Sequence, residues 1–307
     1  MNRRTLLRSF GQTFAGAMAL SQKWAFGQTK PEDRHDAKAS QVPFQFSVML
    51  WTVFRDLPFE QRLEKVAEAG YKNVELVGEY AKWSEADFAG INAKRKQLGI
   101  QFDCTAGLKH GLCNPQDRPA LLAELQATLP IVERLDCPAI IIMSGNVVPG
   151  LSPEAHRQSC IDGLKAAAEM VQGKRINGQP VRLLLETIDP EENPQYYLTS
   201  MTTNFEIVSA VRHPQVRALY DMFHEQIAEG NLIEKLEKNI HLVDLIHIAD
   251  VPGRHEPGTG EINYINIFRK LAELQYDRMV AMEFRPSGDP VSQLRAAREM
   301  AIRAAAQ

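Results

Sequence analysis

The stretch VRLLLET at residues 181–187 decides the fold, because it is a short run of apolar side chains that closes on a carboxylate, Glu186. A strand with one face in water alternates apolar and polar residues, so a continuous apolar run is typical of a strand buried on both faces. Three later runs have the same form, and each ends close to an ionisable residue: VRALYDM (216–222), VDLIHIA (243–249) and RMVAMEF (278–284).

Working back towards the N-terminus, four more apolar runs complete a set of eight: FSVMLW (46–51), NVELV (73–77), IQFDCTA (100–106) and AIIIM (139–143). The starts of neighbouring runs lie 27 to 42 residues apart, which leaves room for a helix between strands. Eight strand–helix units predict an α/β fold with a parallel sheet closed into a (β/α)8 TIM barrel. A doubly wound open sheet is the alternative, but neither GxGxxG nor GxxxxGK[ST] follows an early strand.

The first predicted helix shows why the segments between strands are helical. Phe59, Leu63, Val66 and Ala67 recur at helical spacing and form one apolar face. Gly70 then suits the position just after a helix end, where a left-handed backbone is common.

Composition excludes several classes of protein. The chain has 307 residues, of which 44% are hydrophobic and 24% charged, with a formal net charge of −3. These fractions are ordinary for a globular protein, and the charge argues against nucleic acid as a partner. No apolar run is long enough to span a membrane. The four cysteines lack zinc-site spacing, and we expect buried thiols.

The N-terminus has the form of an export signal. Arg3 and Arg4 precede a modestly apolar stretch at residues 10–20, and small residues follow near 25–27. We interpret residues 1–27 as a twin-arginine (Tat) signal peptide, 28–43 as a linker and 44–307 as the barrel domain. The expected location is periplasmic, with the Tat export machinery as a partner. A merely basic, frayed terminus is the alternative.

Four ionisable residues end the last four strands: Glu186, Asp221, His247 and Glu283. A single strand-end carboxylate is more often an ion-pair partner, and a single histidine is more often a hydrogen-bonded core residue. Together at one barrel mouth, however, three carboxylates would repel one another unless a cation neutralised them. This hard ligand set predicts a divalent metal, with Mn²⁺ or Mg²⁺ favoured.

Glu186 and Glu283 are also candidates for catalysis. A metal on adjacent oxygens of a hydroxy-carbonyl compound acidifies the neighbouring C–H, so that one carboxylate can remove a proton and another can return one. The sequence leaves open which glutamate acts first.

Candidate substrate-binding residues surround this pair. His224 begins the segment HEQIAEGNL (224–232), which we expect to be a loop, and Arg254 and Glu256 lie in the loop VPGRHEPGTGEINY (251–264). Glu192 is a further candidate. An ordinary surface loop with solvated charges is the alternative interpretation.

The segments DMFHEQIAEGNL (221–232), HIADVPGRHEPGTGEINY (247–264) and EFRP (283–286) resemble hydroxypyruvate isomerases, a group within the xylose isomerase-like TIM barrel superfamily. The resemblance implies metal ligation by the four strand-end residues, an acid/base pair in Glu186 and Glu283, and substrate contacts from His224, Arg254 and Glu192. One departure is that hydroxypyruvate isomerases tend to carry Gln where this chain has His247, whereas ketose 3-epimerases carry His.

We therefore expect a metal-dependent isomerase that interconverts hydroxypyruvate and tartronate semialdehyde, or a similar aldose–ketose pair. A ketose or 3-keto-sugar epimerase is the first alternative, and a non-catalytic periplasmic sugar-binding protein is an alternative of another class. A phosphodiesterase related to apurinic-site endonucleases is disfavoured, because the chain has only 8 histidines for a multi-metal cluster. The oligomeric state stays open, a homo-oligomer included.

Overall fold

In the computed structural model, which describes residues 42–307, eight parallel strands close into a barrel. The prediction of a TIM barrel is confirmed, and each strand lies within two residues of its predicted bounds. The strands are β1 (Gln45–Met49), β2 (Asn73–Val77), β3 (Gln101–Ala106), β4 (Ala139–Met143), β5 (Arg182–Glu186), β6 (Val216–Asp221), β7 (Val243–Ile248) and β8 (Met279–Met282). Each pairs with its neighbours in sequence, and β8 pairs with β1 to close the ring.

Helices connect the strands and cover the barrel. They are α1 (Phe59–Glu68), α2 (Glu85–Leu98), α3 (Arg118–Arg134), α4 (Pro153–Val171), α5 (Met201–Val211), α6 (Met222–Ala228), α7 (Leu232–Asn239), α8 (Tyr264–Glu273) and α9 (Pro290–Ala305). In α1, Leu63 and Val66 are buried, and Gly70 has a φ of 89° just after the helix end, as the sequence predicts. No helix of residues 42–307 is long and apolar enough to cross a membrane.

The barrel has an apolar interior of its own, separate from the larger core between strands and helices. Leu184, Leu219, Leu245 and Ala281, one from each of β5 to β8, pack together inside it. Their burial stabilises the fold by about 25 cal/mol per Å² of apolar surface removed from water. The packed side chains close the barrel below its mouth. We call this layer the apolar floor, and the residues at the carboxyl ends of the strands lie directly above it.

Two features differ from the sequence analysis. The segment expected as a loop at 224–232 is mostly helical, because Asp221 accepts hydrogen bonds from the backbone N–H groups of Phe223 and His224 and so starts α6. A small hairpin also pairs Arg175–Ile176 with Gln179–Pro180 before β5. Its turn is Asn177-Gly178, both with positive φ, as two-residue hairpins require.

All four cysteines are buried free thiols, as expected. The predicted signal peptide lies outside the residues that the structure describes, and so does the predicted linker as far as residue 41.

Candidate active site

Strand geometry explains why the four strand-end residues meet. Side chains two residues apart on a strand point to the same face. Glu186, Asp221 and His247 each stand two residues after the inward-pointing leucine of their own strand, and Glu283 stands two residues after Ala281. All four are therefore directed into the barrel axis, one layer above the apolar floor, at the carboxyl ends of the strands.

The four residues form one buried cluster. Each offers an oxygen or nitrogen atom within 4.8 Å of those of the others. From the Nδ1 atom of His247, the nearest carboxylate oxygens are 2.7 Å away on Glu283, 3.7 Å on Glu186 and 3.9 Å on Asp221. The residues that the sequence predicts as metal ligands are thus brought to one point.

In three of the four residues, one polar side-chain atom is hydrogen-bonded to the protein and the other faces the centre of the cluster. Asp221 uses Oδ1 to cap α6, with a distance of 2.8 Å to the N–H of Phe223. Glu283 uses Oε1 to accept a 2.7 Å hydrogen bond from the indole Nε1 of Trp51. His247 uses Nε2, which lies 2.9 Å from Oε2 of the fully buried Glu75.

The atoms left over are Asp221 Oδ2, His247 Nδ1 and Glu283 Oε2, which are buried and have no hydrogen bond of acceptable geometry. Their charged neighbours, the nearest of which are His247 and Arg254 beside Glu283 Oε2, offset part of the cost of burial, and the convergence of atoms without hydrogen bonds on one point is typical of a ligand site. A divalent cation bound by carboxylates and a neutral imidazole fits this donor set. The pairing of His247 with Glu75 fits as well, because metal-binding histidines commonly donate their second N–H to a carboxylate.

Glu186 and Glu283 lie in different electrostatic environments. Burial raises the pKa of Glu186 to about 8, and the neighbouring carboxylates of Glu283 and Asp221 add to this rise. Burial would also raise the pKa of Glu283, but the guanidinium of Arg254 and the imidazole of His247 hold it well below its usual range. In the metal-free protein at neutral pH, Glu283 is therefore a carboxylate and Glu186 is largely protonated.

Arg254 occupies the centre of the predicted substrate region. The loop after β7 places it in the left-handed region, with a φ of 57°, and its side chain is buried. Its guanidinium lies 2.9 Å from Glu283 and 3.0 Å from Glu192, and it covers the ring of Phe223. Arg254 and Glu192 thus lie beside the cluster, and their role in binding substrate stays a prediction.

His224 also joins the cluster. Its Nδ1 atom lies 2.5 Å from Asp189, and its Nε2 atom lies 3.4 Å from Asp221. Burial alone would lower its pKa, but Asp221 and Asp189 raise it to about 9, so that the ring is an imidazolium at neutral pH. His224, Asp189 and Glu192 form a second group of convergent polar atoms beside the first.

Glu256 is hydrogen-bonded to Ser287, in the loop after β8. Its two carboxylate oxygens accept hydrogen bonds from the N–H and hydroxyl groups of Ser287, at 3.0 Å and 2.5 Å. The contacts of Glu256 therefore tie the loop after β7 to the loop after β8, and its role in binding substrate stays a prediction.

Three residues of the site were not predicted from the sequence: Trp51, Glu75 and Asp189. Two of them carried a readable signal. Glu75 is a carboxylate in the middle of the apolar run NVELV, and Asp189 follows Glu186 by three residues. Trp51 ends an apolar run, where an aromatic residue is common, so the sequence gives no signal that Trp51 belongs to the site.

Comparison with known proteins agrees with the fold. Residues 63–304 match the family model described as xylose isomerase-like TIM barrel. A 2-oxo-tetronate isomerase of Haemophilus influenzae is 31% identical over 81% of this chain and 96% of its own length. A hydroxypyruvate isomerase of Escherichia coli is 26% identical over 79% of this chain and 93% of its own.

Among solved structures, a Brucella melitensis protein described as AP endonuclease, family 2 superposes with a TM-score of 0.72 at 27% identity. The match covers 81% of this chain and 96% of the Brucella chain.

Proposed function

The chain belongs to the xylose isomerase-like TIM barrel family, and from this membership and its site we propose that it isomerises small hydroxy-keto acids with the help of a divalent metal. The prediction that the chain is an isomerase is confirmed by relatives that carry that activity in their names. The substrate we propose is hydroxypyruvate or a homologue one carbon longer, such as 2-oxo-tetronate. The observation that carries the proposal is the pair of buried glutamates, Glu186 and Glu283, whose carboxylate oxygens both lie within 3.7 Å of Nδ1 of His247.

We propose that Glu186, Asp221, His247 and Glu283 hold the metal, for which the hard oxygen-rich set favours Mn²⁺ or Mg²⁺. When bound, the ion would supply positive charge that acidifies the C–H bond next to the substrate carbonyl. The remaining chemistry falls to side chains of this chain.

In the proposed reaction, Glu283 accepts a proton from C3 of hydroxypyruvate, because Arg254 and His247 keep its carboxylate ionised. Glu186, the one proposed ligand without a hydrogen-bond anchor among residues 42–307, donates a proton to C2, because burial favours its protonated form whenever it is not ligating the metal. The hydroxyl proton passes from O3 to O2, so that one C–H bond breaks, another forms and the net charge is unchanged. The product is tartronate semialdehyde.

An epimerase would use the same two residues differently. It would remove and return the proton at one carbon, from opposite faces, and so exchange deuterium at that carbon alone. The presence of His247 is the feature that favours this alternative. Where solvent deuterium enters the product therefore distinguishes the two activities.

The test is an NMR assay in D₂O on protein stripped of metal and restored with Mn²⁺ or Mg²⁺. Its substrates are hydroxypyruvate, 2-oxo-tetronate and neutral ketoses. We expect metal-dependent deuterium at C2 of the aldehyde product, lost in Glu186→Gln and in Glu283→Gln. Glu169→Gln, the same change at an exposed position of α4, is the matched control and should keep full activity. Tight sugar binding without exchange would instead support the non-catalytic alternative.

We further propose that the chain is exported to the periplasm by the Tat route. The support for this is the twin arginine at Arg3 and Arg4 with the weakly apolar stretch that follows.

A further inference from the structure

A substrate that carries a carboxylate needs a cation to receive it, and the buried cation of this site is already engaged. Arg254 is 4% exposed, and its guanidinium lies within 3.6 Å of Asp221, Glu192 and Glu283. Four carboxylates therefore surround the place where the substrate binds, once Glu186 is counted. These carboxylates are paired with Arg254, with the His224 imidazolium and with the proposed metal, so a carboxylate on the substrate would need a further positive group at the mouth.

Arg285 is such a group. It follows Glu283 by two residues, it is exposed, and it forms no ion pair with any residue in the range 42–307. The carbon at the centre of its guanidinium lies 5.4 Å from the centre of the Trp51 ring. The indole Nε1 of the same ring donates to Glu283. One indole ring therefore separates the free guanidinium from the proposed base.

The backbone of Arg285 is held in place on both sides. Its N–H donates to the carbonyl oxygen of Arg254 at 2.7 Å, and its own carbonyl oxygen lies 2.7 Å from Nδ1 of His255. Two residues on, Ser287 is bound by Glu256. The loop after β7 thus fixes the loop that presents Arg285, and such positioning lowers the entropic cost of binding a ligand.

We propose that Arg285, which lies over the ring of Trp51, receives the carboxylate of the substrate and so selects hydroxy-keto acids over neutral ketoses. The inference rests on the proposed function, because it assigns a substrate class to the same site. A guanidinium matches a carboxylate with two parallel hydrogen bonds, which gives orientation as well as attraction. The cation–π contact with the indole restrains the guanidinium, and its exposure leaves it accessible to a ligand.

The test measures binding and turnover separately, on the metal-restored full-length protein. Glycerate is the binding probe, because it carries the carboxylate and the hydroxyl groups but has no keto group to isomerise. The variants are Arg285→Gln and Arg285→Lys. Lys72→Gln is the matched control, since it removes the same charge from an exposed residue just before β2, at the opposite end of the barrel.

In Arg285→Gln we expect calorimetry to show glycerate binding weakened by about 10- to 100-fold, the size expected for a lost charge-assisted hydrogen bond. The KM for hydroxypyruvate should rise by a similar factor with a smaller change in kcat, whereas kinetics or binding of neutral dihydroxyacetone should stay unchanged. Arg285→Lys should retain part of the binding, and Lys72→Gln should retain all of it.

Unchanged glycerate binding in Arg285→Gln would overturn the inference, as would a failure of the unaltered protein to bind glycerate. An equal loss for glycerate and dihydroxyacetone would overturn it as well, because that result indicates a disturbed Trp51 and not a lost carboxylate contact. If glycerate binds through Arg285 but no hydroxy-keto acid is turned over, the proposed reaction fails while the carboxylate site stands.

Discussion

Lowering the pH should weaken metal binding steeply, because two of the proposed ligands bind protons in the metal-free protein. Burial raises the pKa of Glu186 to about 8. Burial would lower the pKa of His247, but the carboxylates of Glu283 and Glu75 raise it well above its usual value. A metal needs the carboxylate of Glu186 and a neutral ring at His247, so that binding must release these protons.

The size of the effect follows from the ionised fraction of Glu186. With a pKa of about 8, about half of this group is ionised at pH 8 and about 1% at pH 6. Glu186 alone therefore predicts that affinity falls about 50-fold between pH 8 and pH 6. The proton on His247 makes the fall steeper, since its raised pKa acts in the same direction.

The assay is calorimetric titration of the metal-free protein with Mn²⁺ from pH 6 to pH 8.5, in pairs of buffers with different heats of ionisation. We expect between one and two protons released per metal at pH 7. In Glu186→Gln the number should drop by about one, and the remaining affinity should depend less on pH. An affinity that stays level between pH 6 and pH 8 would refute the reasoning, because it would mean that Glu186 is already ionised.

Three further predictions concern the support of the site and the export of the chain. Glu75→Gln should weaken Mn²⁺ binding about 10- to 100-fold, because the buried carboxylate orients His247, and calorimetry showing full affinity would contradict this. Asp250→Ala should lower the free energy of unfolding by about 2–4 kcal/mol in denaturant titrations, because the N–H groups of Gly258, Gly260 and Ile262 lose their acceptor in the loop that carries Arg254. A loss below about 0.5 kcal/mol would show that water replaces the carboxylate. Replacing both Arg3 and Arg4 by Lys should retain the chain in the cytoplasm in cell fractionation, and unchanged periplasmic recovery would count against the Tat route.

The fold and the four cluster residues could be predicted from sequence because local pattern specifies them. A parallel strand covered on both faces must be apolar along its length, so a carboxylate or imidazole at its end is conspicuous in the sequence. Glu186, the last residue of the strand RLLLE, is an example. A closed ring of parallel strands then brings all such ends to one mouth. No knowledge of distant contacts is needed for either step.

The supporting contacts could not be predicted, because they join residues that are far apart in the chain. Glu75 pairs with His247 across 172 positions, and Trp51 binds Glu283 across 232. Which strands face one another across the barrel depends on the strand register, and β2 and β6 each contain a register shift against a neighbour. Likewise, the sequence does not reveal that Glu256 binds Ser287.

The hydrogen bonds that position the cluster also distinguish one proposed ligand, Glu186, from the other three. Asp221, His247 and Glu283 each have one polar atom fixed by a helix start, a carboxylate or an indole, which leaves a single atom directed to the centre. Glu186 has no such anchor among residues 42–307, and its nearest charged partner is the His247 ring at 3.7 Å. Three anchored residues can keep a metal in place while the fourth side chain moves. A residue that must carry a proton to substrate carbon needs this freedom, since the proton donor has to come within hydrogen-bonding reach of its target. The asymmetry in anchoring therefore agrees with the asymmetry in pKa of the metal-free site, and both favour Glu186 as the proposed proton donor once it leaves the metal.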